Sequence, residues 1–318
     1  MSDHIAPQLT TVTAFAPATV ANVAVGFDVL GFAVGGFGDR VTVHARPGTQ
    51  GVRIEQIQGI PDPLPLEPER NTASVAIQAM LADHPLPFGI ALEIEKGIPL
   101  GSGMGGSAAS AVAAVVALGG LLDAPVPAEQ LLRYATAGEA VASGAIHADN
   151  VAPCLLGGLT AVVDTDPLDV VSIPVPAGLS VVVVHPHLKI ETRAARLSMP
   201  REVSVVRHVR QSMHLTGFLH ACFRDDAAQV GRHMVDLIAE DARAPLIPGF
   251  KDARGAALAA GALSLSIAGS GPTVFAWVED HEVAHSVESA IRWTFQQQGI
   301  ACDAWSGPVN RTGAHLCR

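Results

Sequence analysis

Polar and apolar residues alternate along Thr10 to Phe15, Arg40 to Arg46 and Val52 to Ile57, the period-two pattern of strands with one buried face. Ile60 to Pro68 then reads I-P-D-P-L-P-L-E-P, and a segment so poor in backbone donors predicts a surface excursion rather than a strand. Beyond it, Asn71 or Thr72 caps a predicted helix to about Ala82, Gly89 to Glu95 alternates as a strand, and a helix of alanines and valines starts at Ser107. Pro127 marks the entry to a helix over Glu129 to Val141, and Gly157-Gly158 separates a further short helix from a strand at Leu159 to Val163.

The stretch Asp164 to Pro176 is loop-rich and is the preferred boundary, dividing the chain into residues 1–168 and 169–318. The second half predicts a strand at Leu179 to His185 and helices near Val203 to Phe223, Ala227 to Ala242 and Gly255 to Ala260. Strands at Leu263 to Ala268 and Thr273 to Val278 flank Gly269-Ser270-Gly271-Pro272, before a helix at Glu282 to Gln297 and a last strand. Strands gathered at the start of each half argue an α+β architecture of two domains with a cleft between them, not a doubly wound sheet.

Apolar residues make up 49% of the 318 and charged ones 16%, as in a compact folded chain. The net charge of −10, without any cluster of Lys or Arg, gives no footprint for nucleic acid or an anionic membrane. Partners are expected to be small molecules or proteins, and an anionic ligand must be held by local backbone amides and a metal ion. Cys154, Cys222, Cys302 and Cys317 lie far apart without C-x-x-C spacing, which predicts neither a disulfide framework nor a zinc site and fits a reducing cytoplasm. The longest apolar run, Ala108 to Leu122, is broken by Gly119-Gly120 and reads as a buried helix rather than a membrane span.

The candidate chemistry begins with Gly101 to Gly106, G-S-G-M-G-G, placed between a strand and a helix. Its glycines let the backbone converge several N–H groups on one point, and the helix adds its free amides and dipole, so the loop predicts an anion site without a cationic side chain. Ser107 stands where a Walker loop needs Lys. The string also satisfies G-x-G-x-x-G, but Glu95, Lys96 and Pro99 separate it from the strand, against a dinucleotide fingerprint.

Three segments in order, P-A-T-V-A-N-V-A-V-G-F-D-V-L-G at 17–31, I-P-L-G-S-G-M-G-G-S-A-A-S at 98–110 and A-G-S-G-P-T-V-F-A at 268–276, resemble the signature motifs of the GHMP kinases. Within them the chain is most similar to the homoserine kinases, through the first segment, H-A-D-N-V-A-P-C-L-L-G-G at 147–158 and I-A-E-D-A-R-A-P-L-I-P-G-F at 238–250. One departure is Gly106-Ser107, where the family usually has Ser-Ser. The resemblance implies an N-terminal domain like domain 2 of ribosomal protein S5, a ferredoxin-like C-terminal domain, ATP as phosphoryl donor with Mg²⁺, an amino-acid alcohol as acceptor, and the homodimer usual for that family.

It also implies site residues. Pro99, Leu100, Gly101, Ser102, Gly103, Met104, Gly105, Gly106, Ser107, Ala108 and Ala109 would hold the nucleotide, with Ser107 and Glu139 as oxygen ligands of the metal. Asp28 would take the substrate ammonium, Arg196 and Arg243 its carboxylate, and Asn22, His147, Asn150 and Thr192 the rest of the pocket. By residue type alone, Asp28 and Asn22 read equally as turn formers and the arginines as surface charges. Asp149 is the local candidate for a base, against a mechanism in which Asn150 lies beside the hydroxyl and the phosphate takes the proton. His185 and His187 alternate on a strand with no third ligand in register and read as structural.

Overall fold

The structure is a computed structural model that describes residues 10–143, 148–190 and 198–317. His147, Thr192 and Arg196, named above as pocket residues, lie outside the described residues. Among the described residues, strands β1 (Thr11–Ala21), β2 (Leu30–Arg46), β3 (Val52–Gln58) and β4 (Gly89–Glu95) form a sheet in the order β1-β2-β4-β3. Strand β5 (Leu159–Thr165) pairs with the first residues of β2 and with β6 (Leu168–Ile173). The chain's last strand, β11 (His315–Leu316), pairs with β1, so the two ends of the molecule are joined in one sheet.

Helix α2 (Gly106–Gly119) is buried almost all round, from Ala108 through Val115, and packs between β1 and β2 on one side and helices α1 (Thr72–Asp83) and α3 (Ala128–Ser143) on the other. Its alanines let sheet and helices approach it closely, which is why an apolar stretch of this length sits inside the protein. Helix α4 (Ala148–Leu156) packs on β1, β2 and α3 and completes this layer.

The second sheet runs β10-β7-β9-β8, entirely antiparallel, from β7 (Ser180–Pro186), β8 (Ser264–Ile267), β9 (Val274–Val278) and β10 (Cys302–Pro308). Alternation along β7 decides the two faces. Val182 and Val184 join the core under the helices Phe250–Ala259 and His281–Gln297, while Val181 and Val183 join the larger core with β1 and β2. Phe32 meets the rings of Phe275 and Trp277 edge-on, each at 5.5 Å, and so ties the two sheets into one body. A four-stranded antiparallel sheet with its helices on one face is the ferredoxin-like arrangement that the resemblance implies.

Four segments differ from the pattern reading. Leu30 to Asp39 extends β2, where Gly31, Gly35, Gly36 and Gly38 had hidden a strand. The loop-rich stretch contains β6, whose mostly exposed residues carry no clear apolar face. The helix expected over Ala227 to Ala242 stops at His233, and the Asp236 carboxylate accepts from the amides of Ile238 and Ala239, each at 2.7 Å, starting a separate turn at Glu240–Arg243. The helix placed at Gly255 to Ala260 begins earlier, at Phe250, behind Gly249 in the left-handed region.

Candidate active site

The glycine loop leaves β4 and climbs to α2 through alternating left-handed residues, Gly101, Gly103 and Gly105, at φ of 65°, 79° and 67°. Two of these glycines are also forced by close approach. A Cβ on Gly103 would fall 2.5 Å from the Ala268 carbonyl oxygen, and one on Gly105 would fall 2.1 Å from the Thr19 hydroxyl and 2.8 Å from the Asn150 amide oxygen. Gly103 is thus packed into the second glycine turn, 269–271, and the Thr273 amide donates to the Ser102 carbonyl at 3.3 Å. The helix starts at Gly106 behind an N-cap at Gly105, one residue before the expected start at Ser107, which lies in the first turn. Met104, Ala108 and Ala109 are fully buried, and the Met104 carbonyl and the Ala109 amide are already used by Thr19 and Gly105.

The Ser107 side chain hydrogen-bonds the Glu139 carboxylate, which α3 brings in from the neighbouring layer. Burial pushes the Glu139 carboxyl up to about 7, against the lowering effect of that bond and of the Lys96 charge. Asp149, in the first turn of α4, is 2% exposed, and its Oδ1 has no hydrogen-bond partner. Burial first, and then the charges of Asp28 and Glu139, raise Asp149 to about 7, while Arg243 acts in the other direction. These couplings bring Asp28, Glu139, Asp149 and Arg243 into one electrostatic neighbourhood beside the loop.

Asn150 follows on α4, and its Oδ1 accepts from the Thr19 hydroxyl at 2.8 Å. The turn between β1 and β2 carries Asn22, Val23, Ala24 and Asp28 at positive φ, a strained conformation for residues with a Cβ. It is held by the Asn22 side chain, which accepts from the Asp28 amide at 3.0 Å and donates to the Gly269 carbonyl at 3.1 Å. Arg243 is buried, donates to the same Gly269 oxygen at 2.6 Å, and lies 5.3 Å over the Phe27 ring. Gln211 braces the turn from the long helix Val205–Phe223, donating to the Val25 carbonyl at 2.5 Å.

Of the residues singled out in the sequence, the structure therefore assembles the loop, Ser107, Glu139, Asp149, Asn150, Asn22, Asp28 and Arg243. Others belong to the same assembly and were not singled out as site residues. Lys96 is buried with Asp39, and its ammonium also donates to the Gly106 carbonyl at 2.6 Å and the Ser110 hydroxyl at 2.9 Å. In the sequence Lys96 reads only as a spacer before the loop. His185, buried on β7, bonds Thr273 at 3.0 Å, and burial lowers it to about 4, so it sits neutral beneath the second glycine turn. His187 instead pairs with Asp303 at the surface.

The sequence profile of the GHMP kinases N-terminal domain matches residues 71–158, and that of the GHMP kinases C-terminal domain matches residues 218–296. The chain is 47% identical over 315 residues to the homoserine kinase of Xylella fastidiosa strain M12, covering 99% of this chain and 97% of that one. It is 41% identical over 317 residues to the homoserine kinase of Chlorobium phaeobacteroides strain BS1, covering 96% and 99%. The crystal structure of homoserine kinase from Cytophaga hutchinsonii superposes with a TM-score of 0.94 at 43% identity, covering 98% of this chain and 99% of the other. Leishmania major mevalonate kinase, solved with R-mevalonate, shares the fold at a TM-score of 0.71 and 15% identity, covering 97% and 99%. With such relatives along nearly its whole length, the chain belongs to the GHMP kinases and, within them, to the homoserine kinase family.

Proposed function

We propose that the protein transfers the γ-phosphoryl group of ATP to the side-chain hydroxyl of L-homoserine, giving ADP and O-phospho-L-homoserine on the way to threonine. The observation that carries this reading is the meeting, around one glycine loop, of the Ser107–Glu139 pair and Asn150. Phosphoryl transfer asks for positioning and charge neutralisation more than covalent chemistry, and these groups supply both. Main-chain amides at the start of α2, without partners inside the helix, face the phosphates. The open groove lined by Pro63, Leu64, Leu66 and Arg70 takes the base; it ends two residues before Thr72, whose hydroxyl donates to the Ser107 carbonyl at 3.3 Å.

The Ser107 hydroxyl and the Glu139 carboxylate are hard oxygen donors, and burial makes the Glu139 charge costly even with Ser107 and the Lys96 charge favouring it. That donor set fits Mg²⁺, with Ser107 and Glu139 holding it. When bound, Mg²⁺ neutralises charge on the phosphates. Arg243, held rigidly on Gly269, binds the substrate carboxylate, and Asp28 its ammonium, with Arg196, Thr192 and His147 completing the pocket. Asn150 holds the acceptor hydroxyl beside the loop, and the hydroxyl proton leaves on the transferred phosphoryl oxygens, so Asp149 contributes its field rather than accepting that proton. Among the described residues, no helix is long and apolar enough to cross a membrane. The protein works in the cytoplasm, as a homodimer.

A coupled ADP-release assay against L-homoserine, mevalonate, galactose and buffer tests the reading. ADP release above the buffer rate is expected with L-homoserine alone. Preference for mevalonate, or release independent of any acceptor, would overturn the assignment.

A further inference from the structure

Thr19 takes no part in the functions assigned above, yet it stands where three parts of the site meet. It is completely buried near the end of β1. Its backbone amide donates to the Met104 carbonyl in the glycine loop at 3.1 Å, and its hydroxyl donates to Asn150 Oδ1 at 2.8 Å. Gly105 leaves no room between them, since a single added carbon there would collide with both the Thr19 and the Asn150 oxygens. One residue of β1 thus fixes the loop through its main chain and Asn150 through its side chain.

The chemical consequence follows from the inventory of an amide group. A primary amide has one acceptor oxygen and one donor nitrogen, and a hydroxyl facing the oxygen leaves the NH₂ as the end that remains to be used. We infer that Thr19 is a positioning residue for the phosphoryl transfer: it holds Asn150 against the loop so that the amide NH₂ is the end presented to the acceptor hydroxyl. The inference rests on the kinase reading above. A donor in that place fixes the hydroxyl oxygen in line for attack without taking its proton, and a displacement of the order of 1 Å at such a contact is enough to slow the reaction strongly.

Thr19→Val keeps the volume and the β-branch, and keeps the backbone bond to Met104 while removing the hydroxyl. The expected result is a fall in kcat of about tenfold or more with KM for ATP changed by less than about twofold. Thr19→Ser keeps the hydroxyl and restores most of the rate. In an Asn150→Ala background the Val substitution has no further effect, because its action passes through Asn150. A thermal melt of each variant separates loss of fold from loss of positioning. Equal rates for Thr19→Val and the parent, a rise in KM for ATP in place of the kcat loss, or additive effects with Asn150→Ala would each overturn the proposal. Failure of the parent protein to phosphorylate L-homoserine would overturn the kinase reading instead.

Discussion

Two buried acidic clusters flank the start of α2, and they are built in opposite ways. On one side the Asp39 carboxylate accepts from Lys96, from the Ser110 hydroxyl at 2.8 Å, and from the amides of Gly97 and Ile98 at 3.0 and 3.2 Å. On the other side, Glu139 and Asp149 are both pushed up to about 7 by burial, and Asp149 keeps an oxygen with no partner. A charge buried with a full set of donors holds structure in place, whereas carboxyls that burial raises toward neutrality are candidates for completion by a ligand. The Lys96 ammonium, bonded to the Gly106 carbonyl, connects the two by fixing the loop from beneath.

The comparison breaks most severely if Lys96 is made neutral. Lys96→Met leaves Asp39 buried without its cation and is expected to cost about 3–5 kcal/mol of stability in urea unfolding. Adding Asp39→Asn should return a good part of that loss, and a Lys96→Met protein as stable as the parent would show that the pair is not what holds the loop. Glu139→Gln sharpens the contrast from the other side. It should lower kcat about a thousandfold, roughly 4 kcal/mol at the transition state, with no loss of melting temperature, since a costly buried acid is replaced by an amide. A melting temperature that falls together with activity would place Glu139 among the structural acids.

Arg243→Leu should raise KM for homoserine about a hundredfold, near 3 kcal/mol, and leave KM for ATP within about twofold. An equal loss for both substrates would remove it from the carboxylate site. The smallest effect concerns His185. Its folded value, lowered to about 4, lies below the unfolded 6.5, so the stability it contributes is intact above 6.5 and is lost as pH falls toward 4. Between pH 7 and 5 that amounts to about 2 kcal/mol for His185 alone, and Glu139 and Asp149, whose raised values act in the opposite sense, together outweigh it in the parent. Relative to the parent, a His185→Gln variant should gain about 2 kcal/mol over the same interval, and parallel pH curves would refute the role.

How much could be read from the sequence depends on where each signal lies along the chain. The glycine loop was legible because four glycines and the helix after them are contiguous, and the gathering of Asn22, Asp28 and Asn150 beside it because they sit in short ordered motifs. Lys96, Asp39 and Ser110 were not, because each is unremarkable in its own segment and their meeting exists only after β2, β4 and α2 have packed. Thr19 lies inside a motif that was recognised, but nothing local says that its hydroxyl reaches across to α4. Strand β6 was hidden by the prolines around it, and the break after His233 by an aspartate that caps rather than continues.

The packing of Gly103 into the turn at Gly269 and Gly271 joins two pieces of backbone separated by about half the chain. The glycine loop therefore cannot reach its final packing as its own segment is synthesised; it waits for β9 to be laid against β7, just as β1 waits for β11. The final shape of this loop is in that way a report on completed folding, and a chain stopped before residue 268 would keep the supports from Lys96 and Thr19 but lack the turn against which Gly103 packs.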